Sequence, residues 1–440
     1  MDLTKIYETY MDSNGDLQKY QYDYYHNKQD TVPVYQRKPA SLLKAATHTN
    51  LHINFFEDII QRKIGYMASK IKIKIEDEKI MDLIDEFNNN TKQKTKNIES
   101  ISNTSISGIS HRLIYTQDGE VYIKNIPGWQ VVYNYIDDVF NATEAYYYYT
   151  TTSLTGEKIN HCDIYTMTTV KYYEKIANTT MDYEMVGDEQ PHNFNKVPIF
   201  PFINNPDMNG DCHDALAIMD IYDELISDTS AELKAARLAY LKIYGDLYTG
   251  QDAEGNAIPI PDYLREFGTM LFGTDELGNN LGDAQFLEKN IDDVAISNML
   301  NRLRSHIFEI SSSVDLKELT ANNDLRVFSI QANISRLENN SAITEQFVKM
   351  ALKRQYDLYF YWLGEYRGLY YDISGLEFIF ERVFTKDVEA LVRTANMAIN
   401  IMSIEDAYNL TGLFDRPEEA VERYNKEKGI IPDDDFGTNK

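Results

Sequence analysis

The stretch that decides the fold is His192-Asn193-Phe194-Asn195-Lys196-Val197-Pro198-Ile199-Phe200-Pro201-Phe202-Ile203-Asn204-Asn205, with Gly210-Asp211 and then Asp214 onward behind it. An apolar run ends on an asparagine pair and a Gly-Asp turn, so a buried strand hands the chain to the next element. That element carries the strongest helical pattern in the sequence. Leu216, Met219, Tyr222, Ile226, Leu233, Ala236 and Tyr240 mark one face, which predicts a helix over 214–244, about 45 Å long, stopped by Gly245. Asp211 and Asp214 stand where a helix start needs caps.

On the C-terminal side, 246–293 changes character. It holds eleven acidic against two basic residues and many glycines, and reads as a small acidic insert. Helix resumes over 294–311, a polar loop containing Ala321-Asn322-Asn323-Asp324 comes next, and a third long helix is predicted over 327–363, with Asn339-Asn340 as a kink. The tail offers a strand over 376–380 and helices over 387–401, 404–410 and 417–428, with the last dozen residues frayed.

On the N-terminal side, apolar spacing predicts a helix over 48–69, and the alternation Ile71-Lys72-Ile73-Lys74-Ile75 predicts a half-buried strand. A helix from about Asp77 stops at Asn88-Asn89-Asn90. A hairpin then turns on Asp118-Gly119, and strands are expected over 129–136, 145–151, 164–173 and 183–186, giving an antiparallel sheet of about five strands. Residues 1–40 are polar and tyrosine-rich and read as an extended arm that needs a neighbour for order. Helices and antiparallel strands in separate runs make the class α+β.

Composition narrows function. The chain has 440 residues, 43 Lys plus Arg against 69 Asp plus Glu, and a formal net charge of −26, which argues against a broad phosphate-clamping face. Two cysteines, Cys162 and Cys212, are too few for a disulfide scaffold or a four-thiolate zinc site and fit a reducing compartment. The start Met1-Asp2-Leu3-Thr4-Lys5 has no signal-peptide character, and no run is apolar enough to span a bilayer. A soluble cytoplasmic product, without membrane contact, is expected. The 33 tyrosines suit extended contact surfaces.

Phosphate-loop, dinucleotide, nucleophile-elbow, zincin and Cys-x-x-Cys motifs are all missing, and no repeat of solenoid length is visible. The weaker candidates favour structural readings. His48 and His52 have metal-ligand spacing but no Glu after the first His to serve as base. Asp12, Asn14 and Asp16 imitate a calcium loop but lack its glycine and its final glutamate. Cys212-His213 precedes a helix start, and the pairs Asp137-Asp138 and Asp292-Asp293 suit turns and helix entries. Arg302, Arg304 and His306 on the helix after the insert, with Lys317 and Arg326 flanking the polar loop, could touch phosphate locally or form an ordinary solvated surface.

Several blocks, in order, resemble the portal (head–tail connector) proteins of tailed bacteriophages, the family common in phages of Gram-positive hosts. Tyr24-Tyr25-His26-Asn27-Lys28-Gln29 is similar to its Tyr-Tyr-x-Gly arm, and Asn54-Phe55, Ile59-Ile60 and Gly65-Tyr66 to its first wing helix. Ile106-Ser107-Gly108 through Tyr115, and Tyr135-Ile136-Asp137-Asp138, are similar to its wing strands. The stretch from His192 to Ile221-Tyr222-Asp223 is the most specific block. Met402-Ser403, Asp415-Arg416-Pro417-Glu418 and Glu422-Arg423 resemble the final helices. Asn193 and Asn195 stand where the family usually has glycine, which Asn imitates by tolerating positive φ, and Ala68-Ser69 replaces a common Gly-Lys.

The resemblance implies an α+β portal fold of wing, stem, clip and crown, assembled as a dodecameric ring at one capsid vertex that passes double-stranded DNA during packaging and ejection. It implies a wing with N-terminal arm over 1–211, stem helices over 212–244 and 292–314, and a clip over 245–291. Beyond these come a tunnel loop over 315–326, a long wing helix over 327–364, a wing-closing strand within 365–384 and a crown over 385–440. Lys317, Asn322, Asn323 and Arg326, with Arg302 and Arg304 on the stem, become the DNA-facing candidates. Asp262, Glu266, Asp275, Glu276 and Asp283 become the clip residues for terminase and the head-completion adaptor. Major capsid and scaffolding proteins are implied as further partners, the virion as location, and no cofactor, metal or covalent chemistry. Two rival readings are a capsid or baseplate component that never meets DNA, and a cytoplasmic glycoside hydrolase, which would need two carboxylates about 5 to 9 Å apart in one cleft.

Overall fold

The computed structural model describes residues 2–39, 48–68, 70–177, 179, 181–236, 240–244, 247–248, 271–272, 282–287, 292–315, 317 and 326–382, with single residues and short pieces between 403 and 425. The chain divides into two units, Met1–Glu381 and Arg382–Lys440.

The first unit opens with helix, which corrects the expectation of an extended arm. α1 (Leu3–Tyr10) passes through one π turn (Met11–Gly15) into α2 (Asp16–Tyr25). Asp2 caps it by accepting the Lys5 amide at 3.0 Å. Order comes from the chain itself. Tyr7 stacks on Tyr148 at 4.6 Å, Tyr148 donates to the Leu3 carbonyl at 2.9 Å, and Tyr24 is fully buried. Tyrosine spacing that looked like loop polarity is therefore a packed helix face.

After α3 (Pro33–Gln36), α4 spans Phe55–Met67. It starts seven residues later than periodicity predicts because Asn54 takes the cap position, accepting the Glu57 amide at 3.1 Å. β1 (Ile71–Lys74) and α5 (Glu78–Asn90), capped by Asp77, match expectation. α6 (Gln93–Ser107) does not, since the sequence reading has no helix there. Its buried face is mostly polar, with Gln93, Asn97, Ser100, Thr104 and Ser105 beside Ile101 and Ile106, so hydrophobic periodicity has little to register.

β2 (Ile109–Gln117) and β3 (Glu120–Pro127) form the predicted hairpin, with Asp118 and Gly119 at φ 53° and 79° as a type I′ turn demands. A second sheet holds β4 (Val131–Asn134), β5 (Glu144–Thr152), β6 (Lys158–Tyr165), β7 (Thr169–Ile176) and β8 (Glu184–Met185) in that order, with β9 (Gln190–Pro191) also on β7. The single strand expected over 164–173 is two strands. Thr166 folds the chain back by accepting the Thr169 amide at 3.0 Å on its hydroxyl. β10 (Ile199–Ile203) joins β2 antiparallel, all five residues buried, and Asn193 and Asn195 before it sit at φ 60° and 51°.

α7 spans Leu216–Ala236, 21 residues and so about 32 Å, shorter than predicted. The remainder becomes β11 (Tyr240–Tyr244), whose β-branched and aromatic residues favour a strand once a partner exists. Short strands β12 (Leu247–Tyr248) and β13 (Leu271–Phe272) pair, and β14 (Asp283–Leu287) is β11's partner. α8 (Asp293–Ile310) is capped by Asp292. α9 runs unbroken from Arg326–Arg367, 42 residues, and β15 (Glu377–Phe380) closes antiparallel onto β1 across some 300 positions of sequence.

The largest core gathers Trp362, Tyr356, Leu352 and Leu363 of α9 with Phe87, Ile84, Phe200, Phe202 and Phe378. Helix, sheet and the returning strand thus share one apolar centre. In the second unit, Ser403 caps a helical turn by accepting the Asp406 amide at 3.1 Å, and Ala407 is buried.

Candidate functional site

α7 and α8 form an antiparallel pair, because Leu216 and Met219 at the start of one meet Ile307 and Phe308 at the end of the other. Phe55, Phe56, Ile59 and Ile60 of α4 complete that core. Away from it the pair carries exposed apolar side chains, Ile221, Leu233, Val294 and Met299. The far ends lead into the antiparallel β11–β14 ladder. A helical hairpin therefore stands on the body and carries the β11–β14 ladder at its far end.

Its foot is stitched by buried polar contacts. Asp223 lies 2.5 Å from His52 Nδ1 and accepts the Ile53 amide at 2.9 Å. Tyr24 donates to Asp220 at 2.9 Å, and burial pushes the Asp220 carboxyl up. Ser227 takes the Leu51 amide at 2.9 Å. Extended residues 51–53 are thereby fixed to α7 through side chains on successive turns.

The chain leaves α8 through a clamp of two arginines. Arg304 binds Asp315 in bidentate geometry at 2.6 and 2.8 Å, and Asp315 also accepts the Lys317 amide at 2.9 Å. Burial works against that carboxylate, but the Arg304 guanidinium and the amide outweigh it and hold the Asp315 pKa below its ordinary value. Arg62 of α4, itself paired to Asp58, donates to the Val314 carbonyl at 2.8 Å. Both guanidiniums lie over Phe308, at 5.2 and 5.5 Å from its ring centre. Val314, Asp315 and the Lys317 amide are thus held beside the end of α8.

Behind the clamp sits a buried ion pair. Lys63 donates to Asp211 at 2.9 Å, to Asn204 at 2.9 Å and to Thr344 at 2.8 Å. Asn340 of α9 adds a bond to Asp211 at 3.1 Å, so Asn339-Asn340 is a docking point and not a kink. One network ties α4, the end of β10, the entry to α7 and the middle of α9.

The sequence candidates separate on this frame. Arg302 is exposed on α8, and Lys317 is exposed with its ammonium 3.2 Å from Asn301. Arg304 is engaged by Asp315. Arg326 opens α9, and Asp283 opens β14 opposite Tyr244. Asn322, Asn323, Asp262, Glu266, Asp275 and Glu276 lie outside the described residues. The weak candidates resolve structurally. His48 bonds the Arg37 carbonyl at 3.0 Å while His52 faces Asp223, so the two do not converge. Asp12, Asn14 and Asp16 lie within helical turns. Cys212 is buried, and burial raises its pKa well above the ordinary thiol value. Asp138 caps a 3-10 turn through the Phe140 amide, and Asp292 caps α8. Among the described residues no group of three or more His, Cys, Asp or Glu could hold a metal, and no helix is long and apolar enough to cross a membrane. Arg62, Asp58 and Asp315 carry no motif. Their meeting spans about 250 positions, which spacing does not foretell.

A family model described as "Phage portal protein, SPP1 Gp6-like" matches residues 14–430. The portal protein of Bacillus phage SPP1 is 24% identical over 367 residues, covering 77% of this chain and 69% of that protein. Among solved structures, a chain from the neck of an empty GTA particle aligns with a TM-score of 0.44 at 14% identity, over 86% of this chain and 94% of that one. A chain from the virion of a native gene transfer agent particle aligns with a TM-score of 0.43 at 14% identity, over 86% and 95%.

Proposed function

The chain belongs to the phage portal protein family described as SPP1 Gp6-like, and from that premise we infer how its parts serve a DNA channel. It is a portal protein of a bacteriophage, a virion component of the capsid vertex that assembles as a homo-oligomeric ring for DNA packaging. The ring has about twelve subunits, closed by one heterologous interface repeated around the axis. The exposed apolar residues Ile221, Leu233, Val294 and Met299 on the helical hairpin support this reading, because neighbouring hairpins would cover them.

The α7–α8 hairpin is the stem, the acidic insert between its two helices in sequence is the clip, and the residues that follow the double-arginine clamp in sequence are the tunnel loop. Lys317 and Arg302 are the described cations offered to passing phosphates, with Asn322, Asn323 and Arg326 further along. Contacts are few and the bore is acidic. A dodecamer at −26 per chain totals roughly −300, and like charge keeps a duplex sliding instead of sticking. The clip residues Asp262, Glu266, Asp275, Glu276 and Asp283 would dock basic patches on terminase during packaging and on the head-completion adaptor afterwards. Capsid and scaffolding proteins meet the wing, assembly takes place in the host cytoplasm, and the protein itself performs no covalent chemistry.

The family match along nearly the whole chain carries this reading. Negative-stain electron microscopy with mass photometry tests its assembly. Rings with a central hole and a mass near twelve protomers support it, whereas a uniform monomer of 51.0 kDa overturns it.

A further inference from the structure

A cleft of about 340 Å³ opens where the β2–β3 hairpin leans over one face of the larger sheet, away from the stem and the clamp. Strand register decides what lines it. Asp163 of β6 stands opposite Tyr147 of β5 and Tyr172 of β7, and Tyr165 lies two positions on, so all four share one face. Tyr149 lies on that face as well, two positions along β5 from Tyr147, and its ring lines the cleft. Asp163 is only 6% exposed and, among the described residues, has no cation within ion-pair distance. A carboxylate is thus set in a ring of tyrosine faces at the floor of an open cleft.

Such a floor suits an organic cation. Aromatic faces attract an ammonium through their quadrupoles, and a single desolvated carboxylate supplies the opposite charge without the several hard oxygen ligands a metal ion demands. The chain already demonstrates the chemistry. Lys124 of β3 reaches over the rim and places its ammonium 5.0 Å from the Tyr147 ring centre and 5.4 Å from that of Tyr149. Lys124 is exposed and acts on the Asp163 charge from the rim without forming an ion pair with it. The volume is at the small end for ligand sites, which favours a slender alkyl chain over a bulky ring system.

We propose that this tyrosine-lined cleft binds a primary alkylammonium group, with Asp163 as its counter-ion, Tyr147, Tyr149, Tyr165 and Tyr172 as its walls, and Lys124 as a built-in competitor at the rim. The ammonium can come from a free polyamine or from a lysine side chain of a partner protein. Both present the same group to the same floor.

Isothermal titration calorimetry on the intact chain, at about pH 8 and moderate salt, tests this with spermidine and with N-acetyl-lysine methylamide as probes. Saturable binding is expected, tightened about threefold in Lys124→Ala and weakened about tenfold in Asp163→Asn. A stronger response to spermidine assigns the free polyamine, and a stronger response to the lysine derivative assigns a partner side chain. Equal affinity in wild type and Asp163→Asn places amine binding elsewhere on the acidic surface and overturns the proposal. So does the absence of binding in both wild type and Lys124→Ala. A thermal melt of Asp163→Asn confirms that the variant is folded. None of these readouts requires ring assembly or packaging, so they stand apart from the test of the channel.

Discussion

Lys63 holds Asp211 at 2.9 Å with both side chains 2% exposed, a buried ion pair between α4 and the turn that enters α7. Burial lowers the Lys63 pKa, and Asp211 acts against that shift. Asn204 and Thr344 take the other two Lys63 protons, and Asn340 and the Asn204 amide add bonds to the same Asp211 oxygen.

Removing one partner leaves the other charged and desolvated. Lys63→Met and Asp211→Asn should each cost about 3 to 5 kcal/mol in urea unfolding, and the double variant should cost clearly less than the sum. Additive losses would show that the residues act separately.

Arg304 and Asp315 should behave as a pH-dependent fastener. The folded Asp315 pKa is depressed, so its contribution is fully present above the unfolded value near 4 and is lost as pH falls through the folded value. Asp315→Asn should destabilise by about 1 to 2 kcal/mol at neutral pH and by little in strong acid. An acid-independent difference would remove the ion pair as its cause.

Asp163 has the opposite sign. Burial raises its pKa to about 7, so the folded state keeps a proton that the unfolded chain has already lost, and stability falls as pH rises from about 4 to about 7. Asp163→Asn should raise stability on the order of 2 kcal/mol at about pH 8 and change little below about pH 4. A destabilised variant at high pH would contradict this.

Gly108 sits at φ +83°, and a Cβ there would lie 1.8 Å from the Met208 carbonyl oxygen. Gly108→Ala should therefore cost more than about 2 kcal/mol, measured by thermal unfolding, since both the backbone and a neighbouring main chain resist it.

Two variants address the channel. Replacing Lys317 and Arg326 by Ala should change packaged DNA length or rate while rings remain intact under the microscope. Deleting 247–290 should leave rings that no longer bind terminase or adaptor, and unchanged binding would move docking away from the insert.

Elements built on apolar periodicity are legible from spacing alone. α5, α8 and α9, the C-terminal end of α4, the hairpin on Asp118-Gly119, and the strands β1 and β15 fall close to where spacing puts them. α6 is not legible because much of its inward face is polar, with Asn97 and Ser100 serving the buried guanidinium of Arg112. That group bonds Asn97 and Gln355 at 2.9 and 2.7 Å. The N-terminal helix is illegible for a related reason: tyrosine is ambiguous between core and surface until its neighbour is known. The candidate site divides the same way. Arg302 and Lys317 can be named from placement, yet nothing local says that Arg304 is held by Asp315 while Lys317 stays exposed.

The sequence by itself determined the α+β class, the acidic insert between two helices and the family, because these rest on local period, composition and ordered short blocks. Tertiary structure alone decided which charges are buried in pairs, that the end of the first long helix becomes a strand, and that a ring of tyrosines surrounds one carboxylate. Those outcomes depend on partners tens to hundreds of residues away, and a group's charge state and conformation are set by the neighbours that replace its water.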